Sequence, residues 1–195
     1  AVFKEAGLDM TFASPKGGLA PVDEGSISAS KDDKVCMDFH EKETKAFSET
    51  VVLKDVKSED YDAVFFVGGF GTMWDFPDDA DVQRIAAEIW AKGGIVSGVC
   101  HGPIALLNVK LSDGSLLVKD KEVTAFSNGE EDAVQCKEVV PYTCEDKFKE
   151  AGAKYSDGGV FQANVKVDGK LITGQNPPSA EPCAKAVVDA LKGIA

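Results

Sequence analysis

Residues 93–108, with the sequence GGIVSGVCHGPIALLN, combine a short buried strand, a glycine-flanked turn and the beginning of a helix. The apolar residues at positions 95–99 predict the strand, and those from position 103 onward predict the helix. Between them, Gly98, Cys100 and Gly102 form a cysteine version of the nucleophile elbow, in which a strand turns directly into a helix.

Cys100 occupies the tip of this turn, where the backbone must adopt a strained conformation. Its glycine neighbours lack a Cβ, so the strand and the helix can pass close to each other. A helix N-terminus carries partial positive charge and favours thiolate over thiol, and His101 adds a backbone N–H and a titratable ring. The alternative is a buried structural cysteine at a strand end, but the pattern favours a reactive nucleophile.

A second glycine turn follows the apolar run YDAVFFV at residues 61–67, which predicts a parallel strand covered on both faces. Gly68 and Gly69 would allow backbone N–H groups to approach a ligand, although a plain tight turn is the alternative. Ligand sites in parallel sheets lie at the carboxyl ends of the strands. We therefore expect this turn to converge with Cys100.

The rest of the chain alternates predicted strands and helices, which indicates an α/β sandwich with a mostly parallel sheet. The charged region 31–57 predicts one or two surface helices, and the acidic segment SNGEED at 127–132 predicts a solvated turn unless the fold carries it back to Cys100. The other predicted elements are helices at 1–6, 81–92, 139–151 and 179–191, strands at 8–14, 116–118 and 123–126, and a hairpin at 164–173.

Composition excludes several classes of partner. The 195 residues are enough for one α/β domain, and the formal net charge of −12 argues against a nucleic-acid partner. No apolar run reaches about 18 residues, so the sequence predicts neither a membrane-spanning helix nor a membrane partner. The five cysteines have no CxxC spacing and there are two histidines, which predicts no metal site and favours the reducing cytoplasm.

Four motifs together resemble the DJ-one/PfpI superfamily, and specifically its glyoxalase III and heat-shock chaperone-like branch. The motifs are GGFGTMWDFP at 68–77, VCHGP at 99–103, FSNGEED at 126–132 and LITGQNP at 171–177. They are distributed over nearly the whole chain. The resemblance implies a flavodoxin-like three-layer α/β/α sandwich, with a mostly parallel sheet and a small β-hairpin, formed by a single domain over 1–195.

The resemblance also implies an activity: methylglyoxal and related 2-oxoaldehydes become 2-hydroxy acids such as D-lactate, without glutathione, cofactor or metal. Cys100 would attack the aldehyde carbon, and His101 is one candidate for the proton shuttle. Glu131 matches the position where some relatives place an acidic residue behind that histidine. A homodimer, and chaperone-like or deglycase activity, are further implications. The predicted substrate- and oxyanion-binding residues are Gly68, Gly69, Phe70 and Gly102.

Two departures from the family pattern stand out. Relatives carry a glutamate after their first strand, close to the cysteine, and no residue of this sequence matches it. We therefore expect the natural protein to have roughly 25–35 further N-terminal residues, about one strand, a loop and the start of a helix. The second departure is Phe70, where many relatives carry histidine, and it favours substrates with apolar ends.

Three other functions share parts of this pattern. A class I glutamine amidotransferase needs a histidine far downstream of the cysteine, and none follows His101. A PfpI-type cysteine peptidase needs only a cysteine, a histidine and an acid, so the residues leave it open. A non-enzymatic stress chaperone, or a redox sensor in which Cys100 is oxidised to sulfinic acid, is the alternative from outside the enzymes.

Overall fold

The computed structural model describes residues 1–193, in two compact units, Ala1–Val56 and the residues from Lys57 onward. The prediction of a single domain over 1–195 includes two residues outside the described range and stays a prediction. The elements of the first unit are α1 (Val2–Glu5), β1 (Ala13–Ser14), α2 (Glu24–Ala29), α3 (Lys34–Lys42), α4 (Lys45–Ser48) and β2 (Val51–Val52).

The first unit forms less sheet than the sequence predicts. Residues 8–14 were expected to form one strand, but only β1 is paired, in parallel with β2. The partner segment limits the ladder, because in the parallel register residues 8–12 would face residues 46–50, which belong mostly to α4 and its C-terminal end. One or two surface helices were expected within 31–57, and the structure has two there, α3 and α4. Asp33 caps α3 by accepting hydrogen bonds from the N–H groups of Val35 and Cys36.

The second unit carries a four-stranded sheet and most of the helices. The strands of this unit are β3 (Ala63–Phe66), β4 (Ile95–Val99), β5 (Glu122–Val123), β6 (Lys154–Tyr155), β7 (Val165–Asp168) and β8 (Leu171–Gly174). β5 and β6 pair with each other in a separate two-stranded sheet. Its helices are α5 (Thr72–Asp75), α6 (Ala80–Ala91), α7 (Asn128–Ala133), α8 (Cys144–Glu150) and α9 (Ala180–Lys192). Short 3₁₀ helices lie at Ser58–Asp60, Gly102–Leu106 and Pro177–Ser179.

β4 is the centre of the main sheet, whose strand order is β3-β4-β8-β7. It pairs in parallel with β3 and with β8, and all five of its residues are buried. Since side chains alternate across a strand, both faces of β4 are covered, and α6 and α9 both pack against it. The predicted mixed α/β fold with a mostly parallel sheet is confirmed.

The predicted hairpin is also confirmed. β7 and β8 pair antiparallel, and Gly169 in their turn has a φ of +62°, which a residue without a Cβ adopts easily. Helices α6 and α9 match the predicted helices within one residue at each end. Even α9 has only 13 residues, and within residues 1–193 no helix is long and apolar enough to cross a bilayer.

Four predictions in the second unit were wrong in extent or type. The helix expected from 139 begins only at Cys144, because Thr143 caps it and Pro141 lies before the cap. Leu116 forms only an isolated bridge with Lys110, and residues 117–118 lie in a turn. The strand expected at 123–126 ends at Val123, and beyond it the N–H groups of Thr124 and Phe126 bond to the Thr173 hydroxyl and the Cys100 carbonyl. The helix expected from 103 is a 3₁₀ helix of five residues.

The hairpin offers a matched test of how much the buried sheet contributes. Ile172 in β8 is fully buried, whereas Val167, its partner in register on β7, is 52% exposed. Ile172→Ala should lower the free energy of unfolding by about 2–5 kcal/mol, since it removes packed methyl groups and leaves a cavity. Val167→Ala should lower it by less than about 1 kcal/mol. Urea denaturation of both variants measures the difference, and equal losses would contradict this packing.

Candidate active site

Cys100 lies directly after β4 and has a backbone φ of +63°, in the left-handed region that residues other than glycine rarely adopt. Two hydrogen bonds hold it there. Its N–H donates to the carbonyl of Gly174 at 2.9 Å, and its own carbonyl accepts the N–H of Phe126 at 3.0 Å. The strained residue predicted from the sequence is therefore present, and its conformation is fixed by contacts from two distant segments.

Close packing around the turn explains its glycines. A Cβ added to Gly68 would lie 2.6 Å from the Val99 carbonyl oxygen and 2.7 Å from the Cβ of Cys100. A Cβ added to Gly102 would lie 2.1 Å from the carbonyl oxygen of Phe66. All of these distances are much shorter than van der Waals contact, so side chains at these positions would displace the turn. The two glycine turns converge, as their positions at strand ends predict.

Cys100, His101 and Glu131 form a continuous line of contacts. Nδ1 of His101 lies 3.5 Å from Sγ of Cys100, and Nε2 lies 2.8 Å from Oε1 of Glu131. Because a carboxylate only accepts hydrogen bonds, Nε2 carries the proton and Nδ1 presents a lone pair to the thiol. His101 and Glu131 are buried and Cys100 is half-buried. The fold has therefore carried the acidic segment back to the cysteine.

The thiol of Cys100 is held in its protonated form. The pKa of Cys100 is raised to about 12, mainly by burial and to a smaller extent by the negative charges of Glu130 and Glu131. The backbone N–H groups of His101 and Gly69 bond to the sulfur and lower the pKa, but by less than burial raises it. The prediction that the turn favours the thiolate was wrong for the resting chain. The helix that follows is a short 3₁₀ helix, and desolvation dominates.

The same two N–H groups identify where negative charge could be held. The amides of Gly69 and His101 both point at Sγ of Cys100. Two backbone donors beside a nucleophile can bind the oxygen of a substrate carbonyl when it becomes negative. The arrangement can therefore carry out nucleophilic addition to a carbonyl, with a proton acceptor adjacent to the nucleophile.

Aromatic rings cover the histidine. The ring centroids of Phe70 and of Phe126 each lie 4.5 Å from the centroid of the His101 ring. Phe161 extends the cluster, with its ring 6.2 Å from that of Phe126. Phe126 is buried, whereas Phe70 and Phe161 are partly exposed. A substrate that reaches Cys100 thus meets an apolar, aromatic surface.

Glu131 has one hydrogen-bonding role. Its Oε1 accepts a hydrogen bond from His101, and its Oε2 has no hydrogen-bond partner within residues 1–193.

Both ring nitrogens of His101 are occupied by the thiol and by Glu131, so the ring is not free to bind a metal ion. Among the described residues, no three or more His, Cys, Asp and Glu side chains are grouped so that they could hold one.

Sequence reasoning missed Glu130, which is fully buried beside Glu131. The available signal was a capping box, Ser127-x-x-Glu130, in which each residue's side chain bonds to the other's backbone N–H. This pattern marks the beginning of a helix, so it predicts α7 where a solvated turn was expected. It does not predict that both glutamates would be buried.

The chain is similar to known proteins over nearly its whole length. Residues 1–190 match the DJ-1/PfpI family, and the chain belongs to it. It is 35% identical to the glutathione-independent glyoxalase hsp3102 of Schizosaccharomyces pombe, over 97% of this chain and 84% of the relative. The solved Rapid Encystment Protein 24 KDa of Francisella tularensis superposes with a TM-score of 0.89 at 40% identity, covering 96% of this chain and 85% of that one. Glyoxalase III from Candida albicans has a TM-score of 0.86 at 30% identity, covering 97% and 83%.

The raised pKa of Cys100 predicts an unusual pH profile for its alkylation. Only the thiolate reacts, so with a pKa of about 12 the rate should keep rising with pH beyond pH 9. An ordinary cysteine, with a pKa of about 8.5, approaches its limiting rate there. Iodoacetamide labelling of the Cys100 peptide, followed by mass spectrometry, measures the rate, with Cys100→Ser as the control for peptide assignment. A plateau below pH 8 would contradict the protonated resting thiol.

Proposed function

We propose that this member of the DJ-1/PfpI family is a glutathione-independent glyoxalase, which converts methylglyoxal and related 2-oxoaldehydes to 2-hydroxy acids such as D-lactate. One observation carries the proposal: the line from Glu131 through His101 to the Cys100 sulfur, at which two backbone N–H groups also point. Such a site supplies a nucleophile, a proton acceptor and an oxyanion site in one place.

In the first step, the Cys100 sulfur attacks the aldehyde carbon of the substrate. The S–H proton moves to Nδ1 of His101, which lies 3.5 Å from the sulfur. The carbonyl π bond breaks and its electrons move to the oxygen, where the N–H groups of Gly69 and His101 stabilise the negative charge. Glu131 stabilises the imidazolium that forms. The oxygen then takes the proton from Nδ1, and the product is a neutral hemithioacetal.

In the second step, a hydrogen moves between the two substrate carbons. His101, neutral again at Nδ1, removes the hydrogen of the former aldehyde carbon as a proton and returns it to the neighbouring carbon. The hydroxyl proton passes to the adjacent oxygen, which leaves a thioester of the 2-hydroxy acid. Water then hydrolyses this thioester and restores the Cys100 thiol. The overall reaction adds one water molecule and needs no external oxidant or reductant.

The proposal includes the partners and the compartment. The substrate is a small 2-oxoaldehyde, whose oxygen would lie at Gly69 and whose other end would face Phe70. A homodimer is supported by family membership, since members are commonly dimeric. A cytoplasmic location is supported by the five cysteines, all of them free thiols in the described structure. We also propose Gly68 and Gly102 as residues that keep the turn close enough to form this site.

The first experiment measures methylglyoxal consumption and D-lactate formation without glutathione. Cys100→Ser should lower kcat/KM by at least about 10³-fold, because the hydroxyl is a far weaker nucleophile than the thiol. Cys136→Ser is the matched control, since Cys136 lies outside the line of contacts and its thiol bonds to the Val134 carbonyl. Absence of turnover in the folded wild type, or turnover that survives Cys100→Ser, would refute the proposed function.

Phe70 should determine the preference among oxoaldehydes. Because its ring contacts His101 and is partly exposed, a substrate with an aromatic end can pack against it. Phe70→His should lower kcat/KM for phenylglyoxal, relative to methylglyoxal, by about 2- to 10-fold. Phe70→Tyr keeps the ring and should leave the ratio within about twofold of wild type. An unchanged ratio in Phe70→His would contradict this role.

A further inference from the structure

Glu130 is a fully buried carboxylate that the reaction itself does not use. Both of its oxygens are hydrogen-bonded, and the donors within the described residues include no lysine, arginine or histidine. Burying a carboxylate is costly unless donors replace its water, and five donors do so here. Oε2 accepts from Ser127 N at 2.9 Å, Ser127 Oγ at 2.9 Å and Gln175 Nε2 at 3.0 Å, and Oε1 accepts from Phe161 N at 2.9 Å and Asn176 Nδ2 at 2.7 Å.

These donors come from three segments that are distant in sequence. Ser127 caps the helix that contains Glu130, Phe161 lies in the loop before β7, and the other two donors directly follow β8. β8 pairs with β4, and its last residue, Gly174, accepts the N–H of Cys100. Glu130 therefore connects α7 to the same edge of the sheet that positions the thiol.

Glu131, the next residue, has no comparable support. Its side chain has a single hydrogen bond, to His101, and Oε2 has no partner within residues 1–193. Its direction is therefore set by the backbone of α7, which has only six residues. A helix of this length is not stable by itself and keeps its position only through contacts with the rest of the protein. The five hydrogen bonds of Glu130 supply such contacts from inside the helix.

We propose that Glu130 is a positioning residue of the active site: its hydrogen bonds fix α7 so that Glu131 holds His101 with Nδ1 toward Cys100. Consecutive helical residues point about 100° apart, so Glu130 can face the end of β8 while Glu131 faces the histidine. The inference rests on the proposed function, in that the line from Glu131 to Cys100 carries the reaction. It assigns to Glu130 a positioning effect that is exerted through Glu131.

Glu130→Gln tests this with almost no change in size. The amide group would replace one carboxylate oxygen, and each oxygen faces at least two donors. Because the amide nitrogen can only donate, those hydrogen bonds are lost whichever way the side chain is turned. We expect α7 to shift and Glu131 to lose its alignment with His101.

A double-mutant cycle separates positioning from general damage. Glu130→Gln should lower kcat/KM for methylglyoxal by about 10- to 100-fold, and adding it to Glu131→Gln should cause no more than about a twofold further loss. Asp132→Asn is the matched control, because the Asp132 side chain is 61% exposed and is paired with Lys137, and it should retain wild-type activity. Full activity in Glu130→Gln, or losses that multiply in the double variant, would overturn the proposal.

Alkylation of Cys100 gives a second readout that needs no turnover. The charge of Glu130 raises the pKa of Cys100, so removing the charge alone would speed alkylation. Losing the aligned His101, the acceptor of the thiol proton, would slow it. We expect slower labelling of Cys100 by iodoacetamide in Glu130→Gln than in wild type at pH 8, and an equal or faster rate would overturn the positioning role.

This rate also separates failure of the inference from failure of the proposed function. A wild type that does not turn over methylglyoxal refutes the function, whereas the alkylation rate still decides the role of Glu130. If Glu130→Gln does not fold, Ser127→Ala replaces it in both experiments, since it removes one donor and keeps the carboxylate. Slower labelling of Cys100 in this variant supports the proposal, and an unchanged rate overturns it.

Discussion

The left-handed backbone of Cys100 is the constraint on which the site depends. A non-glycine residue in this conformation costs on the order of 1–3 kcal/mol, so the surrounding structure must supply the compensation. The hydrogen bonds from Cys100 to Gly174 and from Phe126 to Cys100 do so, and they join the turn to β8 and to the segment before α7. The conformation that presents the thiol therefore also determines which segments surround it.

Burial has different consequences for Glu130, for Glu131 and for the Cys100 thiol. Glu130 is satisfied by five donors and needs no cation. Glu131 has one partner, His101, and the thiol remains protonated because two N–H groups do not offset its desolvation. The resting site is thus arranged around an imidazole that can accept a proton from the thiol. Negative charge on the sulfur develops only when that proton moves, and the imidazolium is then paired with a buried carboxylate.

The aromatic cluster belongs to the same arrangement. Phe70 and Phe126 pack on His101 and keep water from its ring, so the hydrogen bond from Nε2 to Glu131 lies in a low-dielectric environment where it is strong. Phe161 connects this cluster to Glu130, because its backbone N–H bonds to Oε1 while its ring faces Phe126. The loop before β7 therefore supplies both a hydrogen bond to the buried Glu130 carboxylate and a ring of the aromatic cluster.

The sequence by itself determined the features that depend on local pattern. The central strand, the cysteine turn, the hairpin and helices α6 and α9 follow from periodicity, glycines and turn chemistry that act within a few residues. Glu131 was identified only through the family resemblance, and Glu130 was missed. The predictions from local pattern were wrong about where α8 begins and where the short strands end, because capping residues and strand partners determine these boundaries.

Only the tertiary structure decided that Glu131 meets His101, 30 residues away, and that the acidic segment is buried rather than solvated. Local composition cannot reveal this, because three of the five donors that make burial of Glu130 tolerable come from residues 161, 175 and 176. The protonated state of Cys100 likewise depends on desolvation by distant segments, which outweighs the local effect of the turn. Hydrogen-bond partners and burial are properties of the assembled fold, and they set the chemistry of this site.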